Sequence, residues 1–72
     1  MAGSVYKFIE VVGTSDKSWE QAAQTAVEMA SKSLRDLRVA EVLELDMQIE
    51  EGKIISYRTK LKLSFKVEKR IE

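Results

Sequence analysis

One segment of this chain has helical periodicity, and its apolar stripe is built mostly from alanine. From Trp19 the apolar positions recur in steps of three and four, through Ala22, Ala23, Ala26, Val27, Ala30, Leu34 and Leu37, the spacing of one face of an α-helix. Small side chains let a helix approach its neighbour closely, so this one is expected to lie tightly in a curved sheet. Strand-forming segments stand on both sides of it. Val5 to Val12 is rich in β-formers, and Val39 to Glu50 and Lys53 to Val67 alternate apolar with polar residues. The order strand, helix, strand, strand predicts an α+β fold. With only 72 residues, most of the chain is scaffold, and function is expected where copies of the chain meet.

Local signals set the expected boundaries. Met1 to Ser4 reads as a short arm, and Gly13-Thr14-Ser15-Asp16 as turn chemistry. Ser18 followed three residues later by Gln21 has the form of a capping box, which predicts a helix from Ser18 to about Leu37. Arg35 and Arg38 then suit the negative end of the helix dipole. Both faces of the first strand are mostly apolar, so it is either central in its sheet or covered by a partner. Glu50-Glu51-Gly52 predicts a hairpin. With a three-residue loop and Gly52 left-handed, Ile49 faces Lys53, Glu44 faces Arg58 and Val42 faces Lys60. The odd faces, Leu43, Leu45, Met47 and Ile49 on one strand and Ile55, Tyr57, Leu61, Leu63, Phe65 and Val67 on the other, are expected to cover the helix.

Composition removes whole classes of function. There is no cysteine and no histidine, so disulfides, thiolate zinc sites and imidazole catalysis are excluded. Twelve basic residues balance twelve acidic ones, which argues against a broad nucleic-acid footprint. No apolar run approaches the ~18 residues of a membrane span, and no secretory leader is evident, so a cytoplasmic protein is expected. A single domain over residues 1–72 has a core that is marginal alone, and small scaffolds without disulfides commonly oligomerise.

The even face of the second strand carries Glu44, Asp46, Gln48 and Glu50, and that of the third Arg58, Lys60, Lys62 and Lys66. One reading is a solvated, charge-complementary sheet face. The other is that Asp46 and its neighbours offer oxygens to a hard cation such as calcium, which takes six to eight of them, more than one short strand presents. Such a site needs a second subunit, backbone carbonyls or water. Trp19 reads as packing, since it follows the helical period. Gly13-Thr14-Ser15 lacks the glycine fingerprint of a nucleotide site and reads as a structural turn. No acid–base pair has a recognisable catalytic spacing, so no enzymatic activity is expected.

Several fragments together resemble the dodecin family: Val5-Tyr6-Lys7, Ile9-Glu10-x-Val12-Gly13-Thr14-Ser15, Arg35-x-Leu37, Glu41-Val42 and Ser64-Phe65-Lys66. The resemblance implies a βαββ protomer, its three-stranded antiparallel sheet wrapped around one helix, and a hollow homododecamer of cubic symmetry. It also implies flavin sequestered between subunits in many members and coenzyme A in some. Three positions depart from the flavin-binding pattern. Val39 stands where a tryptophan stacks on the flavin, Arg58 where a glutamine bonds its ring, and Asp46-Met47 where an arginine-glycine pair is common. Losing the indole removes an aromatic platform, and a guanidinium has donors but no acceptor. Val39 and Asp46 resemble a subgroup described as calcium-binding, which makes Asp46 a candidate metal ligand. The expectation is a small-ligand storage or buffering shell with a degenerate flavin pocket at Val39, Asp46 and Arg58, and calcium as ligand. Flavin (riboflavin or FMN) sequestration and a ligand-free oligomeric interaction protein are the alternatives.

Overall fold

The computed structural model describes residues 3–67. Of the expected N-terminal arm, Met1 and Ala2 lie outside them. The elements follow the expected order: β1 (Tyr6–Ser15), α1 (Trp19–Ser31), β2 (Leu37–Glu50) and β3 (Lys53–Lys66). All three strands are antiparallel in one sheet of order β1-β3-β2, so β3 is central and both of the others are edges.

Gly13-Thr14-Ser15 is strand rather than turn. These residues pair with Thr59, Arg58 and Tyr57 of β3, and the chain reverses only at Asp16 and Lys17. Gly13 is needed for space, since it faces the helix at the point of closest approach. The Ser15 hydroxyl accepts from the Lys17 amide at 2.9 Å, which steadies the reversal.

Helix α1 starts where the capping signal places it. Ser18 is extended, and its hydroxyl accepts from the Gln21 amide at 3.0 Å. This satisfies one of the helix's orphan donors, so Ser18→Ala should cost about 1 kcal/mol, read as a lowered midpoint in urea at fixed protein concentration.

The other end of α1 differs from expectation. The helix stops at Ser31, not near Leu37, and neither Arg35 nor Arg38 belongs to its last turn. The Ser33 and Leu34 amides both close on the Ala30 carbonyl, and Asp36 takes a left-handed conformation (φ 59°) that turns the chain into β2. A short polar side chain tolerates that region better than most. Leu37 kept the helical spacing because it packs on the same core from a strand.

The hairpin register also differs from expectation. Glu50 pairs with Lys53, leaving a two-residue loop. Glu51 (φ 51°) and Gly52 (φ 78°) are both left-handed, the signature of the primed turn that matches strand twist. Gly52 is where the sequence predicts it, but the odd count is completed elsewhere. Ile55 has no partner, because Gln48 faces Ser56 while Ile49 faces Ile54. The outcome is a two-residue slide, with Asp46 opposite Arg58 and Glu44 opposite Lys60. A second irregularity, at Leu43, changes the parity so that Val42 and Ala40 pair with Leu61 and Leu63, and a third, at Arg38, shifts it again and sets Leu37 opposite Phe65.

The core is small. Ala22 and Ala26 of α1 and Leu61 and Leu63 of β3 are its buried apolar residues, with Val11, Ala23, Val27, Ala30 and Leu37 partly buried around them. Thr59 is buried too, its hydroxyl donating to the Trp19 carbonyl at 2.9 Å. The expectation that β2 covers the helix is corrected. A 13-residue helix is about 20 Å long, whereas 14-residue strands reach about 46 Å, and the protomer measures 57 × 20 × 16 Å. The hairpin therefore runs past the helix, and Leu45, Met47, Ile49, Ile54 and Ile55 stay exposed. Apolar residues of β1 are exposed as well, at Tyr6, Phe8, Ile9 and Val12, as is Val5 just before it.

Candidate functional site

The register that sets Asp46 opposite Arg58 brings a polar cluster together on the sheet. Asp46, in the middle of β2, meets Arg58 on β3 in a two-pronged pair. Arg58 Nε donates to Asp46 Oδ1 at 2.7 Å and Nη2 donates to Oδ2 at 2.9 Å. The planar guanidinium fork matches the carboxylate, a geometry that lysine cannot supply. These hydrogen bonds hold the Asp46 carboxyl below the usual aspartate value against the opposing effect of desolvation, and the Arg58 and Lys60 charges add smaller lowering contributions. The same bonds raise the Arg58 guanidinium. A lowered aspartate value means that the contribution of the pair is complete above the ordinary carboxylate range and is lost only as pH falls through the lowered value. Both side chains are nearly half exposed, so solvent screens the pair.

Trp19 ties this pair to the start of the helix. Its indole N–H donates to the Asp46 carbonyl at 3.0 Å, and its ring meets Tyr57 edge-on with centroids 5.1 Å apart. The helical period correctly assigns Trp19 to packing, yet its polar tip also fixes the main chain at the candidate residue. Sequence reasoning missed this link, and it missed Thr59. A buried threonine on an otherwise leucine-rich face was the available signal, since a hydroxyl there requires a partner.

The rest of this sheet face is charge-balanced. Lys60 lies 3.9 Å from Glu10 of β1, and the Lys62 ammonium sits 4.6 Å from the centre of the Phe8 ring. Val39 is on the same sheet but far along it. It faces Ser64, six positions from Arg58 on β3, about 20 Å away. Within one copy the structure brings Asp46 and Arg58 together and leaves Val39 apart. Val39 instead flanks a groove of about 180 Å³ with Val27, Leu37 and Leu63. A larger apolar groove of about 500 Å³ runs between β1 and α1, lined by Ile9, Val11, Gly13, Ala26 and Met29 among others.

Among the described residues no three of Asp, Glu, His and Cys stand together as metal ligands, and no helix is long and apolar enough to cross a membrane.

The fold and site thus define a class: a short βαββ chain whose sheet wraps one alanine-faced helix and whose apolar flanks are exposed. Residues 5–68 match the family model described as Dodecin, and this chain belongs to the dodecin family. It is 53% identical over 64 residues to the calcium dodecin of Mycobacterium tuberculosis, spanning 89% of this chain and 90% of that protein. A crystal structure of the calcium-chelating immunodominant antigen calcium dodecin from the same species, with a novel calcium-binding site, superposes with a TM-score of 0.80. It is 51% identical and covers 96% of this chain and 99% of that one. The dodecin of Streptomyces coelicolor superposes with a TM-score of 0.90 at 40% identity, covering 97% of this chain and all of that one.

Proposed function

We propose that this chain is the protomer of a hollow homododecamer that stores or buffers a small ligand without transforming it, and that the ligand is calcium held between subunits. One observation carries the reading. At the flavin-type positions this chain has an aliphatic Val39 and an Arg58 locked onto Asp46, in a sequence 53% identical to a protein named calcium dodecin. An aliphatic side chain offers no stacking platform, and the fork of Arg58 is already engaged.

Association of copies is supported by the burial pattern. Among the described residues thirteen large apolar residues are exposed, against two large ones, Leu61 and Leu63, buried in the core. That is the reverse of what a self-sufficient monomer shows, and it leaves β1 and the hairpin apolar where a neighbouring copy is needed to cover them. The number of copies follows the resemblance to dodecins.

The donor set of a single copy does not fit calcium. An ion of this kind takes six to eight oxygens. One protomer offers the Asp46 carboxylate, both of whose oxygens accept from Arg58, and the Asp46 carbonyl, which accepts from Trp19. The calcium reading therefore requires oxygens from more than one copy.

Titration of chelator-treated protein with calcium chloride, and in parallel with riboflavin, tests the proposal. Calcium is expected to raise the melting temperature of the assembly and Asp46→Ala to abolish that rise, while riboflavin fluorescence stays unquenched. Strong quenching at low micromolar flavin would make flavin sequestration the function. An assembly indifferent to both would be a ligand-free interaction protein.

A further inference from the structure

We propose that the apolar tip of the β2–β3 hairpin of one copy seats in the groove between β1 and α1 of the next copy, with its turn toward the end of the helix. This rests on the association of copies argued above and names the two surfaces that meet. Strand β1 stops pairing at Ser15, opposite Tyr57, so from Gln48 to Ser56 the hairpin is an arm of two strands with no third strand beside it. A ribbon of two strands is marginal in water unless its apolar side is covered. That side is continuous here. Leu45, Met47 and Ile49 alternate along β2, Tyr57 faces Met47, and Ile54 faces Ile49. Ile49 is 64% exposed and Ile54 51%.

The groove offers the matching cover. Ile9 and Val11 of β1 line one side and Ala26 and Met29 of α1 the other, with Leu34 just past the helix, around about 500 Å³ of apolar space. Charge sets the direction of the arm. Its turn carries Glu50 and Glu51, and the end of α1 beside Leu34 carries Lys32 and Arg35. All four are exposed, and among the described residues none of them makes an ion pair within 4.0 Å. Seating the turn at that end sets two acids against two bases. The area favours a second copy as the occupant. The chain exposes 5753 Å² at a mass of 8.2 kDa, where a self-contained monomer of that mass exposes about 4,500 Å². The surplus exceeds the roughly 800 Å² that one partner contributes to a stable interface. Arm and groove are different surfaces, so the contact is head-to-tail and passes from copy to copy until a ring closes.

The chain has no cysteine, so Ile54→Cys and Met29→Cys introduce its only thiols. Both positions are exposed, and neither substitution disturbs the core. Within one copy they are far apart. Ile54 lies beyond Tyr57, which packs on Trp19 at the helix start, and Met29 is about 15 Å further along α1. The assembled double variant, treated with a short bismaleimide, is expected to give covalent multimers on a denaturing gel, while each single variant runs as one chain. Multimers from Ile54→Cys alone would show tips meeting each other and overturn the inference. Links to Phe8→Cys in place of Met29→Cys would seat the arm on the sheet face away from the helix and overturn it too. Ile54→Lys gives a second readout, since an ammonium is costly to bury in an apolar groove. With unchanged far-ultraviolet circular dichroism, it is expected to raise the protein concentration at which the assembly dissociates by about tenfold or more. An assembly as stable as that of the unmodified chain would count against the contact. No cross-link in an assembly that stays intact by size-exclusion chromatography would overturn the inference and leave the association of copies standing. A monomeric unmodified chain would remove that association, and the inference with it.

Discussion

Gly13→Ala is expected to destabilise the fold by about 3 kcal/mol or more, the upper part of the range for overpacking. A Cβ at this position would lie 2.1 Å from the Ala22 carbonyl oxygen and 2.9 Å from the Ala26 Cβ. The nearer atom is helix main chain, which no rotamer change can move. Either α1 lifts off β1 or the strand bends away from Thr59, its partner on β3. Gly13 has no positive φ, so the added methyl meets a problem of space alone. In a chain this short each kcal/mol moves the melting temperature by roughly 4–8 °C, which puts the expected drop at about 12 °C or more. The measurement is a thermal melt at fixed protomer concentration, because association contributes to apparent stability. A variant that melts like the unmodified chain would show that the helix is not seated on β1 at Gly13.

Leu61→Ala is expected to cost 2–5 kcal/mol, the usual range for deleting a buried leucine, with roughly the upper half favoured here. Leu61 is fully buried on the central strand, in one cluster with Ala26 and Leu63. The helix residues of this cluster are mostly alanines, Ala23, Ala26 and Ala30 with Val27, and alanine has no side-chain length with which to fill a cavity. Because only four apolar residues among the described ones are buried, the loss is also a large share of the core. Urea denaturation with size-exclusion chromatography reads both stability and assembly. A loss below about 1 kcal/mol would mean that Leu61 is replaceable, and that the core lies elsewhere than under α1.

These two effects come from opposite sides of one design. An alanine-faced helix approaches closely enough to require a glycine beneath it. The same closeness leaves the two leucines of β3 to supply most of the buried bulk. The alanine stripe announced the close approach. It could not say that Gly13 would serve as the seat, because glycine before serine and aspartate also has the chemistry of a turn.

The candidate site shows the same division. Asp46 stands out from the residues as a candidate ligand, and the resemblance to dodecins marks both Asp46 and Arg58 as departures from a flavin pattern. Their pairing was not visible, since the expected register set Arg58 against Glu44. A two-residue turn followed by an unpaired Ile55 satisfies the same odd-with-odd rule as a three-residue turn. Alternation along the strands cannot separate the two solutions, and they differ by two residues in which charges meet. The helix end was obscured in a similar way. Leu34 and Leu37 continue the spacing of three and four, yet the chain had already left the helix, because a strand residue can reach the same core.

Local, periodic signals were enough to specify the order of elements, the helix start at Ser18, the left-handed Gly52 and the apolar face of β3. Each depends on neighbours a few residues apart, through backbone geometry that any copy of the chain must obey. Contacts between distant segments required the folded chain: where the helix stops, how far β2 slides along β3, which carboxylate Arg58 holds, and which apolar faces remain uncovered. Those are decided by packing distances across the sheet and by the difference in length between a 13-residue helix and 14-residue strands, which sequence period does not encode.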